Sequence, residues 1–460
     1  MLTICKNNRY EVEKNIKSLR LDAIMPSTSD IIDEIILAMI QEGVIDCLDN
    51  PLTDKRRHNA CVPFKLVMAL AIASKMKGRS SLTDIPYAIS DHRVLAELGY
   101  NIINHDREDL FTEGTIRYLL GKYLAEEWVN YYNNTLQNIF ARKGIETNIH
   151  ILDCTKVAVN YDNENYENSS ITLDRKGNKM RGYKISSLRG IYKDTGIIEE
   201  IRFGTASIHD LHLSEEMLKT TNCFKYGDIL INDRGFLSRE LINYLKVFRG
   251  VDTYVPLRHN MVAFEQAVLA AKELNNWMPH PYRKNQSITA VSDLGMYWES
   301  DHKYVDVPIN ICVVWEKETD TYFVFATTNI KATASEIIKI YEMRTEIEED
   351  FRQLKDFWKL EDFKSTKYNV ISFHIVCVLL GYLFYQLYIN SEQGQKYLGK
   401  SLPVLLKKQG IGFISHLVLY SGKYFCCMSL VEFFEFRDGC AKEVQKYLLK
   451  FFKKKPNKRS

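Results

Sequence analysis

The sequence predicts a mixed α/β protein built from more than one compact module. Its 460 residues exceed the size at which a single hydrophobic core keeps growing. Apolar residues recur at helical spacing through the first third of the chain, and from residue 149 the period changes to that of strands. Hydrophobic content of 46% and charged content of 26% are typical of a soluble globular protein. The formal net charge of +3 neither demands nor excludes a nucleic-acid partner.

Residues 1–145 are predicted to form a helical N-terminal module. Apolar periodicity and capping residues predict helices at 30–41, with Ser29 as its cap, at 62–76, at 82–89, and one long helix from Thr112 to Gly144. The module therefore contains helices and connecting loops.

Residues 146–370 are predicted to form the α/β module, in the order β-β-β-α-β-α-β. The first three strands are expected at 149–159, 184–192 and 196–203, as an antiparallel meander. A helix at 211–220, a buried strand at 228–232, a helix at 237–248 and a strand at 251–257 follow. Residues 258–320 break this rhythm and are predicted to be a strand-rich insertion. A strand at 322–328 then leads to a helix at 337–358, which Ser335 or Thr333 would cap.

Residues 371–460 are predicted to form C-terminal helices with a basic tail. The stretch 371–389 has 19 residues without Lys, Arg, Asp or Glu, so it has the length of a membrane span. It also contains His374, Gln386 and three tyrosines, and the chain has no second stretch of this kind. We therefore expect a buried core helix, with a membrane span as the alternative. In the tail, six of the last eleven residues are Lys or Arg.

The ten cysteines are scattered and form no C-x-x-C pair. This spacing argues against a structural zinc site or a disulfide framework, and it fits reduced thiols in a cytosol. The first nine residues lack a charged segment followed by an apolar one, so we expect no secretory signal.

A narrow polar stripe on the predicted helix 337–358 is the most informative feature of the sequence. At about 100° per residue, its five members fall within an arc of roughly 80°. They are Tyr341, Arg344, Glu348, Arg352 and Lys355. A separate apolar stripe on the same helix would pack against a sheet. The pattern predicts a carboxylate held among cations, although an ordinary amphipathic helix with basic residues on its wet face is the alternative.

Two aspartates occupy predicted buried strand positions, where a carboxylate is unfavourable unless it is hydrogen-bonded or bound to a cation. Asp153 lies inside the first strand between apolar residues, and Asp233 ends the short buried strand. Together with Glu348 they can converge on one edge of the sheet, where ligands bind in α/β folds. Oxygen-only ligands select Mg²⁺ or Mn²⁺, and two such ions suit an in-line attack on a phosphodiester.

These residues resemble a known family. Tyr341, Arg344, Glu348 and Lys355 match the Y-x2-R-x3-E-x6-K signature of bacterial DDE insertion-sequence transposases. Asp153 and Asp233, the latter in Asp-Arg-Gly-Phe, resemble the first two catalytic acids of that family. The resemblance covers 149–389 and implies an RNase H-like catalytic core at 146–370, interrupted by the insertion 258–320. It further implies cut-and-paste transposition, with 1–145 as a DNA-binding domain.

By this resemblance, Asp153, Asp233 and Glu348 would be catalytic and would bind two Mg²⁺ or Mn²⁺ ions. Tyr341, Arg344 and Lys355 would contact transposon-end DNA, and Arg352 on the same stripe could also hold the DNA backbone. Many relatives carry Trp directly after the signature Arg, where this chain has Thr345. We expect that difference to affect packing beneath the helix and not metal binding.

Further DNA contacts are expected from a cationic stretch between positions 175 and 189, which contains no acid. Its six cations are Arg175, Lys176, Lys179, Arg181, Lys184 and Arg189. Cations in such a hairpin attract phosphate by releasing counterions, and we select Arg181 and Lys184 as DNA-binding candidates. A solvated hairpin is the alternative interpretation.

An aromatic residue in the insertion would stack on a flipped base if the DNA is released through a hairpin, as in some relatives. Trp298 is our candidate, with Trp277 and Trp315 as competitors, and a plain core tryptophan is the alternative for each. His209, Asp210 and His212 have the composition of a metal site, but no further ligand stands at usable spacing. We expect a turn and a helix cap there.

The sequence thus predicts a DNA transposase that cleaves transposon ends and transfers strands into target DNA. A purely hydrolytic nuclease on the same core, or an inactive DNA-binding relic, are the alternatives. Its partners would be double-stranded DNA and a second copy of the chain, as a homodimer on DNA, with no membrane. We expect it in the bacterial cytoplasm, associated with the nucleoid when bound to DNA.

Overall fold

The computed structural model describes residues 5–28, 30–49, 55, 62–100, 110–174, 176–193, 195–292, 307–408 and 414–453. These form two compact units. The first comprises Met1–Tyr131, Phe357–Ser365 and Asn369–Ser460, and the second comprises Tyr132–Asp356 and Thr366–Tyr368. Both contain helices and a sheet, so the predicted mixed α/β class is confirmed.

The first unit contains a small sheet made from both ends of the chain. With strands numbered in chain order, its members are β1 (Lys6–Asn7), β2 (Ala23–Thr28), β13 (Ile414–Ser421) and β14 (Tyr424–Ser429). They lie in the order β1-β14-β13-β2. We predicted only helices in these two regions, and that was wrong. β1 and β2 pair with strands about 400 positions away, and β2 contains Pro26, which an edge strand tolerates, whereas β13 and β14 form a hairpin with each other.

Nine α-helices belong wholly or largely to this unit, among the residues that the structure describes. They are α1 (Arg9–Lys17), α2 (Ile31–Gln41), α3 (Phe64–Met76), α4 (His92–Glu97), α5 (Glu113–Leu120), α12 (Tyr368–Ile389), α13 (Leu402–Lys408), α14 (Leu430–Asp438) and α15 (Lys442–Lys453). A further helix, α6 (Ala125–Lys143), begins in this unit and continues in the second.

The predicted helices at 30–41 and 62–76 are confirmed within two residues as α2 and α3. Asp30 caps α2, accepting bonds from the backbone of Ile32 and Asp33, whereas our candidate cap Ser29 lies outside the described residues. The segment 82–89 is a 3₁₀ helix, Leu82–Tyr87, and not an α-helix. The predicted long helix at 112–144 is two helices, α5 and α6, with a break around Gly121.

The apolar stretch 371–389 lies in α12, which is a core helix of this unit. Of its most apolar 18-residue window, 94% is buried inside the protein. A Cβ added at Gly381 would stand 3.0 Å from Met76 and 3.2 Å from Trp358, so neighbouring side chains pack closely on this helix. This supports the expected core helix over a membrane span. No disulfide bond joins cysteines within the described ranges.

The second unit is built on one large mixed sheet. Its strands are β3 (Ile149–Val159), β4 (Ser170–Leu173), β5 (Lys179–Tyr192), β6 (Thr195–Thr205), β7 (Ile229–Asn232), β8 (Asp252–Pro256), β9 (Met278–Pro279), β10 (Gln286–Val291), β11 (Asn310–Glu316) and β12 (Thr321–Thr327). Their order is β4-β5-β3-β7-β8-β12-β11-β10-β9, and β6 pairs with β5. The predicted elements at 149–257 are found in the predicted order, together with one strand, β4, that we did not predict. The described strands of the insertion extend this same sheet.

Helices cover both faces of the sheet. They are α7 (Asp210–Thr220), α8 (Arg239–Tyr244), α9 (Val262–Leu274), α10 (Ala334–Glu342) and α11 (Thr345–Asp356). Leu152 on β3 packs with residues of α7 and α8, such as Met217 and Leu241. Successive side chains of a strand point to opposite faces, so Asp153 faces the side on which α11 lies.

A buried charge network links the start of β3 to β6 and to the residue before β7. The His150 ring lies 2.7 Å from a Glu199 oxygen through Nδ1 and 3.1 Å from an Asp228 oxygen through Nε2. Thr147 donates a further bond to Glu199. Gly190 makes room for this carboxylate, since a Cβ there would stand 2.2 Å from Glu199 Oε1.

Candidate active site

Asp153 lies in the middle of β3, and its side chain is only 13% exposed. One carboxylate oxygen accepts a hydrogen bond of 2.7 Å from the backbone N–H of Cys154. The other lies 3.1 Å from Nη1 of Arg344. The acid that seemed out of place in a strand is therefore satisfied by one backbone donor and one cation, as a buried carboxylate requires.

Asp233 follows β7 and lies beside Asp153 in the sheet. β3 and β7 are parallel, with Leu152 opposite Asn232, so the two aspartates come next on neighbouring strands. Asp233 caps the 3₁₀ helix Arg234–Phe236, and its Oδ1 accepts a 2.7 Å bond from the backbone N–H of Arg234. This is the carboxyl end of a parallel strand, the edge at which ligands bind in such sheets.

Glu348 lies on α11, and the predicted continuous helix 337–358 is wrong. The structure breaks it into α10 and α11 at Met343 and Arg344. At the junction the backbone bonds shorten to three-residue steps, from Arg344 N–H to Tyr341, from Glu346 to Met343 and from Ile347 to Arg344. The Thr345 hydroxyl also donates to the Glu342 carbonyl, 2.9 Å away. A threonine side chain that competes for backbone groups explains why helical periodicity alone missed the break.

Arg344 joins two of the three acids. Its Nη1 lies 3.1 Å from Asp153 Oδ2, and its Nη2 lies 2.9 Å from Glu348 Oε1. The guanidinium is 17% exposed. One planar cation thus bridges a strand carboxylate and a helix carboxylate, the fork geometry in which arginine is strongest.

The electrostatics of the site reflect the closeness of all three acids. Burial raises the pKa of Asp153 to about 6, although Arg344 and the Cys154 N–H act to lower it. The charges of Asp233 and Glu348 both raise that same pKa. Burial raises the pKa of Tyr341 to about 12, with Arg344 opposing. The site therefore holds excess negative charge that one arginine offsets in part.

The donors suit a hard divalent cation. Asp153, Asp233 and Glu348 offer oxygen only, and a buried acid with a raised pKa gains from a nearby cation. Among the residues that the structure describes, no group of three or more His, Cys, Asp or Glu side chains stands close enough to hold a metal ion alone. Mg²⁺ usually takes one or two carboxylates, with water and substrate phosphate completing the shell, so the residues fit the ion.

The residues predicted to bind DNA have different surroundings. Tyr341 is partly buried and packs against Phe325, with ring centroids 4.7 Å apart. Lys355 donates to the Lys156 carbonyl on β3, so it ties α11 to the sheet. Arg352 is half exposed and pairs with Glu349 at 2.7 Å on the surface of α11.

The cationic stretch between positions 175 and 189 is not a uniformly solvated hairpin. Lys184 is buried and pairs with Asp210 at 2.6 Å, so its selection as a DNA contact does not fit its surroundings. Arg181 is mostly buried, with Nε bonded to the Tyr161 carbonyl at 3.1 Å. Arg189 is also buried. Lys176 and Lys179 are exposed, while Arg175 lies outside the described residues.

Trp298, our candidate for base stacking, lies outside the described residues. Its competitors Trp277 and Trp315 lie in one partly buried cluster with Tyr322, with the tryptophan rings 5.3 Å apart. His209 caps α7, since its Nδ1 accepts from the Leu211 N–H, and this confirms the expected helix cap.

Sequence reasoning missed a cavity beside the signature residues. A space of about 160 Å³ lies between α10 and the strands of the insertion. Its walls include Tyr341, Arg344, Phe325, His280 and Arg283. Arg283 pairs with Glu342 at 2.8 Å. His280 and Arg283 come from a loop without a motif, and only folding brings them to the signature helix.

Comparison with protein families decides the class of the protein. The family model described as the transposase DDE domain matches residues 149–384, more than half of the chain. The chain belongs to this family. The predicted DDE-type transposase is thereby confirmed, and the substrate of such an enzyme is DNA. The matched DDE domain includes Asp153, Asp233 and Glu348. No curated protein matches the chain.

Proposed function

We propose that this transposase cleaves DNA at transposon ends and joins the 3′ ends to target DNA at the site formed by Asp153, Asp233 and Glu348. The single observation that carries the proposal is the pair of contacts by which Arg344 bridges Asp153 and Glu348. The register of β3 and β7 adds Asp233, which comes next to Asp153 on the neighbouring strand. Arg344 links two acids from distant parts of the chain, and the third acid comes next on the neighbouring strand, which supports phosphodiester chemistry with hard cations at this edge.

Strand order supports an RNase H-like core. The strands β6-β5-β3 are antiparallel, and β7 and β8 then add in parallel to β3. This is the arrangement that we expect of such a core. β12 then pairs with β8, and β11 and β10 from the proposed insertion 258–320 extend the sheet beyond it.

Asp153, Asp233 and Glu348 would hold Mg²⁺ or Mn²⁺, and two such ions would activate a water or a 3′-hydroxyl and stabilise the leaving oxygen. The Asp153 carboxylate is held by the Cys154 N–H, which fixes its orientation. Arg344, partly buried beside both acids, is positioned to hold the scissile phosphate once a cation takes over its charge balance.

DNA contact is proposed for Tyr341, Arg344, Arg352 and Lys355 around this edge. Arg283 and His280, on the cavity wall beside Tyr341, join this set because they line the same opening. We leave Lys184 out of the set because its ammonium is buried against Asp210. A homodimer on paired ends, a bacterial insertion-sequence origin and release through a DNA hairpin remain proposals from the sequence resemblance.

The proposal is tested with purified protein and DNA carrying the sequences that flank its coding region. With Mg²⁺ present, wild type should nick these ends and yield joined products. Asp233→Asn should lose at least about 100-fold in rate, as expected when a positioned catalytic group is removed. Asp356→Asn is the matched control, since Asp356 lies exposed on α11 beside Arg352, and it should keep the wild-type rate.

The alternatives give different results in the same assay. Nicks without joined products in wild type would indicate a hydrolytic nuclease. Binding without any metal-dependent cleavage, in wild type and in Asp233→Asn alike, would indicate an inactive DNA-binding relic and contradict the proposal.

A further inference from the structure

A buried arginine on β5 contacts the helix that carries Glu348. Arg189 is 5% exposed at its side chain and lies in the interior of the second unit. Its Nε donates to Asp350 Oδ2 at 2.6 Å, and its Nη1 lies 2.9 Å from Glu346 Oε2. Asp350 is nearly buried as well, at 9% side-chain exposure. Both partners are on α11.

Helical geometry places the two partners of Arg189 on the side of α11 opposite Glu348. Glu346 and Asp350 are four residues apart, so they lie within about 40° of each other on α11. Glu348 stands midway between them in sequence, at about 180° around the helix. The apolar residues Ile347 and Leu354, which are fully buried, lie between these two edges. The helix therefore packs through its apolar stripe. Arg189 contacts the edge that carries Glu346 and Asp350, and Glu348 lies on the opposite edge.

The fold makes room for this arginine. A Cβ added at Gly196 on β6 would stand 2.0 Å from the Arg189 guanidinium, so the guanidinium lies flat over a residue without a side chain. On the opposite edge of the helix, Lys355 bonds the Lys156 carbonyl of β3. Both edges of α11 are thus tied to the sheet.

We propose that Arg189 is a positioning residue that sets the rotation of α11 through Asp350 and Glu346, and thereby aims Glu348 at Asp153. The inference rests on the proposed function of Glu348. Without the contacts of Arg189, α11 can rotate about its own axis on its apolar stripe, because apolar contacts have no preferred direction. A small rotation about the helix axis would move Glu348 away from Asp153.

Arginine suits this role better than lysine. Its planar guanidinium reaches two carboxylates one helical turn apart, with a hydrogen bond to Asp350 and an ion pair with Glu346, whereas a lysine ammonium is a single point charge on a flexible stem. The sequence analysis grouped Arg189 with surface cations that attract DNA. Its burial and its two acidic partners assign it to the interior instead.

The test uses the full chain and four variants. Arg189→Met removes these contacts but leaves Asp350 buried without its cation, so it is expected to fold poorly. Arg189→Met/Asp350→Leu removes both charges and keeps the volume, which preserves folding. Arg189→Lys keeps only the charge. Arg202→Met is the matched control, because Arg202 on neighbouring β6 pairs with Glu200 and not with α11.

Two readouts separate positioning from stability. The first is amide hydrogen exchange of residues 345–356 in protein without metal, compared with residues 149–159. The second is the rate of end cleavage, with DNA affinity measured separately. In the double variant we expect a melting temperature near that of wild type, faster exchange in α11 alone, and cleavage slower by about 10- to 100-fold at unchanged DNA affinity. Arg189→Lys should fall between. Arg202→Met leaves buried Glu200 without its cation, so it should lose stability, but its exchange in α11 relative to residues 149–159 and its cleavage rate should match wild type.

A double variant that recovers wild-type cleavage together with wild-type stability would overturn the inference, since charge balance would then be the only role of Arg189. Unchanged exchange in α11 would overturn it too. If wild type itself cleaves no DNA, the proposed function fails, and the exchange measurement still decides whether Arg189 fixes the helix.

Discussion

Arg344 is the residue on which the candidate site depends most directly. In the structure it offsets the charges of Asp153 and Glu348, so it occupies the place of a cation between two acids. The sequence placed these residues at the right spacing but assigned Arg344 to DNA alone. Periodicity shows which residues share a helix face, but it does not show that a helix residue will reach a strand 191 positions away.

If Mg²⁺ and Arg344 offset the charge of the same acids, removing Arg344 should make the stability of the protein depend more strongly on Mg²⁺. We expect Arg344→Gln to be less stable than wild type without metal, and to gain about 3 °C more in melting temperature on adding Mg²⁺. Thermal unfolding with and without Mg²⁺ measures this. Arg352→Gln, which removes a surface pair on the same helix, should respond like wild type. Equal responses in all three proteins would contradict a shared site.

His150 makes a second prediction at the scale of a single residue. Burial alone would lower its pKa, but Glu199 and Asp228 outweigh burial, and the pKa of His150 is raised to about 9. Since this exceeds the unfolded value of about 6.5, its stabilisation is complete below pH 6.5 and is lost as pH rises through 9. We expect the free energy of unfolding to fall by up to about 3 kcal/mol over that window.

Histidine NMR titration checks the assignment directly. His374 is the internal contrast, because burial followed by the charge of Lys75 lowers its pKa to about 3. Between pH 6.5 and 9 the His150 ring should lose its proton, while the His374 ring should stay neutral throughout. A His150 ring that is already neutral at pH 6.5 would show that the buried network does not carry a positive charge.

At the scale of elements, the sequence predicted two central strands closely. β3 was predicted to the residue because an extended pattern runs through it and turn-forming residues bound it, and β7 is a short apolar run typical of a buried strand. Helix breaks were missed at Gly121 and at Arg344, where short-range bonds override a periodic pattern that continues across them. β1 and β2 were missed because each pairs with a strand from the other end of the chain, which a local pattern does not reveal, and the hairpin of β13 and β14 was missed as well.

The apolar helix α12 gives a prediction at this scale. Gly381→Leu adds side-chain volume where Met76 and Trp358 already stand within 3.2 Å of a new Cβ. In a protein core this overpacking should cost about 1 to 3 kcal/mol of unfolding free energy, whereas on a lipid-facing surface leucine would be neutral or favourable. Urea unfolding of detergent-free protein measures the difference. A variant as stable as wild type, recovered only with membranes, would revive the membrane-span alternative.

At the scale of the whole molecule, the second unit contains all three acids, the sheet that carries them and the helices that cover it. Its central strands place Asp153 and Asp233 side by side, and α11 adds Glu348 from the face of the sheet. The sequence could single out the three acids that we propose for the site because each breaks a local rule or belongs to a motif. It could not predict His280, Arg283 or Arg189, whose surroundings exist only after strands from distant segments have paired.

The account depends on Glu348 acting with Asp153 and Asp233 at one cation-dependent site. The most direct test is the rate of DNA end cleavage as a function of Mg²⁺ concentration in wild type, Glu348→Gln and Glu349→Gln. Glu349 is the next residue on the same helix and pairs with Arg352 at the surface. We predict that Glu348→Gln lowers the rate at saturating Mg²⁺ by at least about 100-fold, while Glu349→Gln stays within about twofold of wild type. Equal rates for wild type and Glu348→Gln, or an equal loss in both variants, would contradict the account.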